Sequence, residues 1–159
     1  MKNIIYTILI ALFITACGSQ KAAVSKTKDN VITKSDGKHP QILVNKYAFL
    51  VEKYADDSSY GFEPENAIKV GGAAESEGPT NERRFLNALA GPQGEELEYY
   101  RIGSCCPQPS ENSAYGQALL DKYAVYHEGS TDTLVLYINM YDSEKLMIPK
   151  GFKARVFPN

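Results

Sequence analysis

The sequence predicts an α+β fold, with about two helices packed on a mainly antiparallel sheet of four or five strands. Two observations carry this prediction: apolar residues recur at helical spacing over residues 80–90, and they alternate along residues 133–141. A sheet with one apolar face needs helices or a second sheet to cover it. We therefore expect one small layered domain over residues 41–159.

The segment 42–55 is the first element of this domain. Its apolar residues recur at helical spacing, so we expect a helix, although the segment also fits a strand with alternate apolar residues. The residues at helical spacing are Leu43, Tyr47, Leu50, Val51 and Tyr54. Residues 60–72 are expected to form a loop that contains a short strand at 67–70.

Residues 80–90 form the second predicted helix. Thr80 can cap its N-terminus, and Glu82 suits the positive end of the helix dipole. One face is apolar, with Phe85, Leu86 and Leu89. The Gly-Pro pair that follows is a typical helix stop.

The remaining elements are predicted to be strands. Residues 96–102 predict a strand, because Leu97 and Tyr99 alternate with two glutamates, while residues 120–127 and 133–141 flank a polar turn and so predict a hairpin. One face of the second hairpin strand should enter the core, with Leu134, Leu136, Ile138 and Met140. Residues 103–113 should form a turn region, and an edge strand is expected within residues 145–157.

The first 16 residues have the pattern of an export signal. Lys2 precedes an uncharged apolar stretch that is shorter than the roughly 20 residues needed to span a bilayer. The stretch ends in Ile-Thr-Ala-Cys, a lipobox, in which the cysteine is acylated and the chain is cut before it. We therefore expect Cys17 to carry the lipid. The alternative is an ordinary signal peptide with a chance cysteine.

A tether over residues 17–40 should follow the cleavage site. Residues 18–40 hold five lysines and two aspartates and no aromatic residue, which is typical of a disordered segment. From residue 41 onward, 11 basic and 17 acidic residues give a net charge of −6, so no basic surface for nucleic acid is expected.

The expected location is the outer membrane. Residue 18 is Gly and not Asp, so the inner-membrane retention signal of the enterobacterial kind is missing. The expected partners are membrane lipid, bound through acylated Cys17, and an envelope protein or a glycan. The sequence leaves open whether the domain faces the periplasm or the cell surface.

Three side chains are candidates for chemistry or binding. His127 ends a predicted strand and could serve a small envelope hydrolase, but no nucleophile-elbow spacing accompanies it, so a structural histidine is favoured. Arg83 and Arg84 point about 100° apart on a helix, so at most one faces inward. Either could clamp a carboxylate or phosphate, although solvated or ion-paired surface arginines are favoured.

Tyrosines supply a second candidate for binding. Five of them, Tyr99, Tyr100, Tyr126, Tyr137 and Tyr141, lie in or next to predicted strands. They could form an aromatic surface for a glycan or peptide, with Tyr137 and Tyr141 on the face opposite the core. A half-buried sheet edged with tyrosine is the favoured alternative.

Cys105 and Cys106 are the only thiols left once Cys17 is acylated. One remote histidine is too few further ligands for zinc, and a Cys-x-x-Cys redox spacing is missing, so neither a metal nor a cofactor is expected. Three alternatives remain: a bond between neighbours, a bond to another chain, or two free thiols. We expect the neighbour bond, because the flanking Gly and Pro favour a turn.

The motifs NERRFLNAL at residues 81–89 and GSCCP at residues 103–107 resemble those of an uncharacterised lipoprotein family from Bacteroidetes-type bacteria. The resemblance covers most of residues 60–153 and implies a lipid-anchored envelope protein. Automated labels on similar proteins name 2-dehydro-3-deoxyphosphooctonate aldolase, a cytoplasmic (β/α)₈ barrel, and such barrels take about 250 residues. Size, strand pattern and export signal disagree with that label. We expect a binding or structural role in place of catalysis, with the His127 hydrolase as the alternative.

Overall fold

The computed structural model describes residues 39–158, so the predicted signal segment and most of the predicted tether lie outside the described residues. The helical elements are a 3₁₀ turn at Pro64–Asn66 and helix α1 at Gly78–Leu86. The strands are β1 (Leu43–Asn45), β2 (Ala48–Phe49), β3 (Ile68–Lys69), β4 (Leu89–Ala90), β5 (Leu97–Pro109), β6 (Gln117–His127), β7 (Leu134–Asn139) and β8 (Lys153–Ala154).

The main sheet has four strands in the order β3-β7-β6-β5. Strand β6 lies inside the sheet and is antiparallel to both neighbours, whereas the short β3 pairs with β7 in parallel. The predicted hairpin is therefore confirmed as β6 and β7. Two further antiparallel pairs, β1 with β2 and β4 with β8, complete the strands described. The class is mixed α and β, with one α-helix within residues 39–158.

One apolar cluster joins the helix to the sheet. Phe85 and Leu86 of α1 share this core with Leu136 and Ile138 of β7, and all four side chains are buried. The predicted core face of β7 is thus confirmed at its centre, but Leu134 is 40% exposed because it opens the strand beside the hairpin turn. Within residues 39–158 no helix is long and apolar enough to cross a bilayer.

The predicted helix over residues 42–55 is wrong. The segment instead forms the β1–β2 pair, and the Asn45 side chain accepts the Tyr47 N–H at 2.8 Å in the turn between them. Tyr47 is 63% exposed, while the neighbouring Ala48 and Phe49 are buried. The side chains at helical spacing therefore do not form a common buried face. The turn at Asn45 and Tyr47 favours the strand pair over a helix.

Helix α1 begins two residues earlier and ends four residues earlier than predicted. Pro79 lies in its first turn, where the missing N–H of proline costs no hydrogen bond, so Thr80 is not the cap. Leu89 and Ala90 leave the helix because they form β4, which pairs with β8. A long-range strand pairing thus overrides the helical spacing of Leu89.

Strand β5 is longer than the predicted strand over residues 96–102. It continues through the sequence that was expected to form a turn and reaches Pro109. Its pairing with β6 is interrupted at two bulges, one between Arg101 and Gly103 and one between Cys105 and Gln108. The turn-forming residues therefore produce irregularities within a strand, and the strand does not end there.

A glycine in the loop before β3 provides a test of the packing. Gly61 has a φ of +80°, and a Cβ there would lie 2.7 Å from Cδ1 of the buried Ile68. We expect Gly61→Ala to lower the free energy of unfolding by about 1–3 kcal/mol more than Gly94→Ala, because only the first change overpacks the core. Gly94 has a φ of +97° with nothing within 4 Å of the added atom. Urea unfolding measures both, and equal losses would contradict the packing described.

Candidate functional site

Helix α1 carries an acidic residue on its apolar side. Glu82 lies three residues before Phe85 and four before Leu86, and residues at these spacings share one helix face. Its relative exposure is 0%. The earlier expectation that Glu82 lies at the helix end to interact with the dipole is therefore wrong, since it is directed into the protein.

One oxygen of this buried carboxyl group has a partner and the other has none. The Tyr123 hydroxyl of β6 donates a hydrogen bond of 2.8 Å to Glu82 Oε2. Oε1 is the one buried side-chain polar atom without a hydrogen-bond partner among residues 39–158. A buried acceptor left unpaired costs about 1–3 kcal/mol, so native structures keep few of them.

Burial raises the pKa of Glu82 to about 7. Charged and polar groups from three elements modify this effect. Asp121 of β6 raises the pKa further, whereas the Tyr123 hydrogen bond and the charges of Arg101 on β5 and Arg83 on α1 lower it. Burial and the neighbouring carboxyl also raise the pKa of Tyr123. Glu82 can therefore gain or lose a proton near neutral pH.

A second carboxylate, that of Asp121, lies beside Glu82 and has its charge balanced by an arginine. Arg101 holds Asp121 with two hydrogen bonds, Nε to Oδ2 at 2.6 Å and Nη2 to Oδ1 at 2.7 Å. The Ser104 hydroxyl donates to Asp121 Oδ1 at 2.8 Å and accepts a hydrogen bond from Arg101. This bidentate arrangement fixes both side chains, and the Arg101 charge still lowers the pKa of Glu82.

These groups line a cavity of about 420 Å³ between the start of α1 and the main sheet. Its lining residues are Pro79, Glu82, Arg83, Tyr99, Tyr100, Arg101, Asp121, Tyr123 and Met140. We call this space the Glu82 cavity. Aromatic and apolar walls with a few polar groups inside are typical of small-molecule sites.

A larger groove of about 540 Å³ lies on the other side of α1. Arg84 lines it, but its guanidinium already bonds to Glu77 Oε2 at 2.6 Å, Asn81 Oδ1 at 2.9 Å and the Lys46 carbonyl at 3.2 Å. Asn81 in turn donates to the Gly71 carbonyl. In this groove the side chains of Arg84 and Asn81 already make hydrogen bonds within the protein, so the Glu82 cavity is the better candidate for a binding site.

The residues that the sequence predicts for binding do not lie at one site. Arg83 lines the Glu82 cavity, where its Nη2 makes a long hydrogen bond of 3.4 Å to Thr80 Oγ1. His127 lies instead in a small cavity of about 160 Å³ that Ser130 and Asp132 also line. Ser130 uses its hydroxyl to bond the backbone of Asp132, while His127 Nδ1 lies 3.0 Å from the Glu128 carbonyl oxygen. This arrangement is a turn and does not form a nucleophile–base pair.

The five candidate tyrosines do not form one surface. Tyr99 packs edge-to-face on Tyr123 on the core side, with ring centroids 6.1 Å apart, and donates its hydroxyl to Asn87. Tyr100 packs in the same manner on Tyr126 at 6.4 Å, and the Tyr126 hydroxyl donates to exposed Glu98. The other two, Tyr137 and Tyr141, are partly buried and do not line the Glu82 cavity.

Cys105 and Cys106 form a disulfide with each other in the structure, and their Cα atoms are 3.7 Å apart. Cys106 has a φ of +50°, which breaks the alternation of side chains that a regular strand would impose. Both cysteines are partly buried and lie two to three residues beyond Gly103. Within residues 39–158, no group of three or more His, Cys, Asp or Glu side chains is placed to hold a metal ion.

Comparison with known proteins adds no relative: no protein-family model, curated protein or solved structure matches this chain. Sequence reasoning missed four residues of the Glu82 cavity, which are Glu82, Arg101, Asp121 and Tyr123. A signal was available for Glu82, because its spacing from Phe85 and Leu86 places it on their face.

The raised pKa of Glu82 predicts that stability depends on pH. In the unfolded chain the carboxyl should ionise near its ordinary value of 4.5, whereas in the folded protein it keeps its proton up to about 7. The unfolded state therefore binds fewer protons in this window, and the free energy of unfolding should fall by about 3 kcal/mol as pH rises through it. Glu82→Gln should flatten this decline, as measured by urea unfolding at a series of pH values.

A matched control is available on the exposed face. Glu98 accepts a tyrosine hydroxyl at 2.9 Å as Glu82 does, but it is exposed to solvent. Glu98→Gln should leave the decline between pH 4.5 and 7 unchanged. A wild-type profile without this decline, or one that Glu98→Gln also flattens, would contradict the burial argument.

The cysteine pair gives a separate prediction. In an oxidising compartment, such as the cell envelope that the sequence predicts, we expect Cys105 and Cys106 to be joined within one chain, because disulfides persist there and the two residues are neighbours in the sequence. Alkylation before and after reduction, followed by mass spectrometry, should reveal two new thiols only after reduction. Non-reducing electrophoresis should show a monomer. A covalent dimer, or two thiols that alkylate without reduction, would refute the neighbour bond.

Proposed function

We propose that this chain is a lipid-anchored envelope protein whose folded part binds a small polar ligand in the Glu82 cavity. The observation that carries the binding role is Glu82, which lines this cavity and whose buried Oε1 lacks a hydrogen-bond partner among the described residues. A donor on a ligand would satisfy this atom and remove the cost of leaving it unpaired.

The anchoring role is supported by the first 17 residues of the sequence. A short apolar stretch that ends in Ile-Thr-Ala-Cys is typical of lipoprotein precursors. Several acyl chains on Cys17 would hold the chain on a membrane, since each buried methylene contributes about 0.8 kcal/mol. We propose the outer membrane as the location, because residue 18 is Gly.

The geometry favours binding over the hydrolase alternative at His127. A general base must lie within hydrogen-bonding distance of the proton that it removes. The Ser130 hydroxyl instead bonds Asp132 backbone atoms at 2.8 and 3.1 Å. Asp132 contributes these backbone atoms to the turn, so the three residues do not assemble a catalytic relay.

The anchor is tested by removing its attachment point. We expect Cys17→Ala to abolish incorporation of labelled palmitate and to release the chain from membranes, or to leave it uncleaved. A neighbouring Ser19→Ala change leaves the lipobox intact and should behave like the natural protein in the same fractionation. Equal palmitate incorporation by the natural chain and Cys17→Ala would overturn the lipoprotein assignment.

The binding role is tested with a panel of small polar compounds that includes sugars, amino acids, short peptides and polyamines. At least one compound should raise the melting temperature of the full chain, because binding to the folded state alone stabilises it. The increase should be lost in Glu82→Gln and kept in Glu98→Gln. A panel without any Glu82-dependent increase would overturn the binding role.

A further inference from the structure

Some charged groups around the Glu82 cavity have a partner of opposite charge and others do not. Asp121 is neutralised by Arg101 through two short hydrogen bonds. Glu82 and Arg83 are left without such a partner: Oε1 of Glu82 accepts no hydrogen bond from residues 39–158, and Arg83 is exposed with one long contact to Thr80. The cavity is thus lined by a buried carboxyl group with one unpaired oxygen and by one exposed cation.

A ligand that matches Glu82 and Arg83 would carry a positive group for the first and a negative group for the second. An ammonium group donates strong charge-assisted hydrogen bonds to a carboxylate, and guanidinium groups bind carboxylates in the same way. Arg83 also lies close enough to Tyr99 to lower the pKa of its hydroxyl against the opposing effect of burial. The Arg83 cation therefore acts on Tyr99 of β5 as well as on Glu82.

The backbone of β5 adds an independent feature. β5 is the last strand of the main sheet, and it pairs on one side only, with β6. Its residues Tyr99, Tyr100 and Arg101 line the cavity. Within residues 39–158, the backbone groups on its outer edge form no further backbone hydrogen bonds along Leu97–Pro109. An unpaired strand edge is a template for an extended peptide.

From these features we infer that the Glu82 cavity binds a short peptide, with the peptide's ammonium group at Glu82 Oε1, its main chain along β5 and its carboxylate at Arg83. This inference rests on the proposed binding function and specifies its ligand class. The adjacent tyrosine rings provide walls for small side chains, and the volume of about 420 Å³ lies in the lower range of small-molecule sites.

Binding should be coupled to a proton. The ammonium group pairs with the ionised carboxyl, whereas Glu82 without a ligand holds its proton up to about pH 7. The charged and polar groups that face Glu82 are Tyr123 and Asp121 of β6, Arg101 of β5 and Arg83 of α1. A peptide should therefore displace a proton from Glu82 near neutral pH, and its affinity should rise with pH through this range.

The experiment uses the full lipidated chain in detergent and isothermal titration calorimetry with the dipeptide Ala-Ala. Titrations near pH 7 in two buffers of different ionisation enthalpy should reveal proton release. N-acetyl-Ala-Ala, which lacks the ammonium group, should bind at least about tenfold more weakly. Glu82→Gln should remove both the proton release and the preference for the free amine.

The carboxylate contact is tested by a pair of adjacent arginines. Arg83→Gln should weaken Ala-Ala binding by about tenfold and should have little effect on Ala-Ala-amide, which lacks the carboxylate. Arg84→Gln is the matched control, because Arg84 belongs to the same helix but bonds Glu77 outside this cavity. It should leave both affinities unchanged.

The outcomes separate this inference from the proposed function. Equal affinities for Ala-Ala and N-acetyl-Ala-Ala, or no binding of Ala-Ala, would overturn the peptide inference. If a sugar or polyamine instead gave the Glu82-dependent increase in melting temperature, the binding role would stand with a different ligand. Proton release that persists in Glu82→Gln would also overturn the inference, because another group would then be the acceptor.

Discussion

The burial of Glu82 is the constraint on which the candidate site depends. Helix α1 is only nine residues long, and Phe85 and Leu86 must enter the core to hold it in place. The helical repeat then directs Glu82 inward as well. Tyr123 satisfies one of its oxygens, and the geometry that anchors the helix leaves the other unpaired. A cavity with an ionisable group thus follows from the packing of one short helix.

Strand β6 supplies the opposite wall because it lies between two neighbours and is buried on both faces. Ala124 faces one side of the sheet, while Tyr123 and Val125 face the other, and all three are nearly inaccessible to solvent. Asp121 follows the same alternation as Tyr123 and therefore points toward α1. The central strand thereby holds the Tyr123 hydroxyl at 2.8 Å from Glu82 Oε2.

The sequence predicts the elements whose patterns are local, and it does not predict those that depend on distant partners. The β6–β7 hairpin can be predicted because Leu134, Leu136 and Ile138 recur at every second position and a polar turn precedes them. Leu89 is misleading, since its helical spacing competes with a pairing to β8 more than 60 residues away. Arg101 and Asp121 are 20 residues apart and meet only through the β5–β6 register, which no single segment reveals. Glu82 was predictable in principle, but an acidic residue near a helix start has a simpler explanation in the dipole.

The register of β5 explains why residues before the cysteine pair belong to the site. Arg101 lies opposite Tyr123, and without a bulge Gly103 would lie opposite Asp121. Ile102 is the extra residue of the first bulge, so Ser104 takes that place and faces the same side as Arg101. Its hydroxyl can then bond Asp121 and hold the Arg101 pair. The second bulge follows at the left-handed Cys106. The irregular segment therefore shapes β5 so that Arg101 and Ser104 both bond Asp121, while Glu82 Oε1 stays unpaired among the described residues.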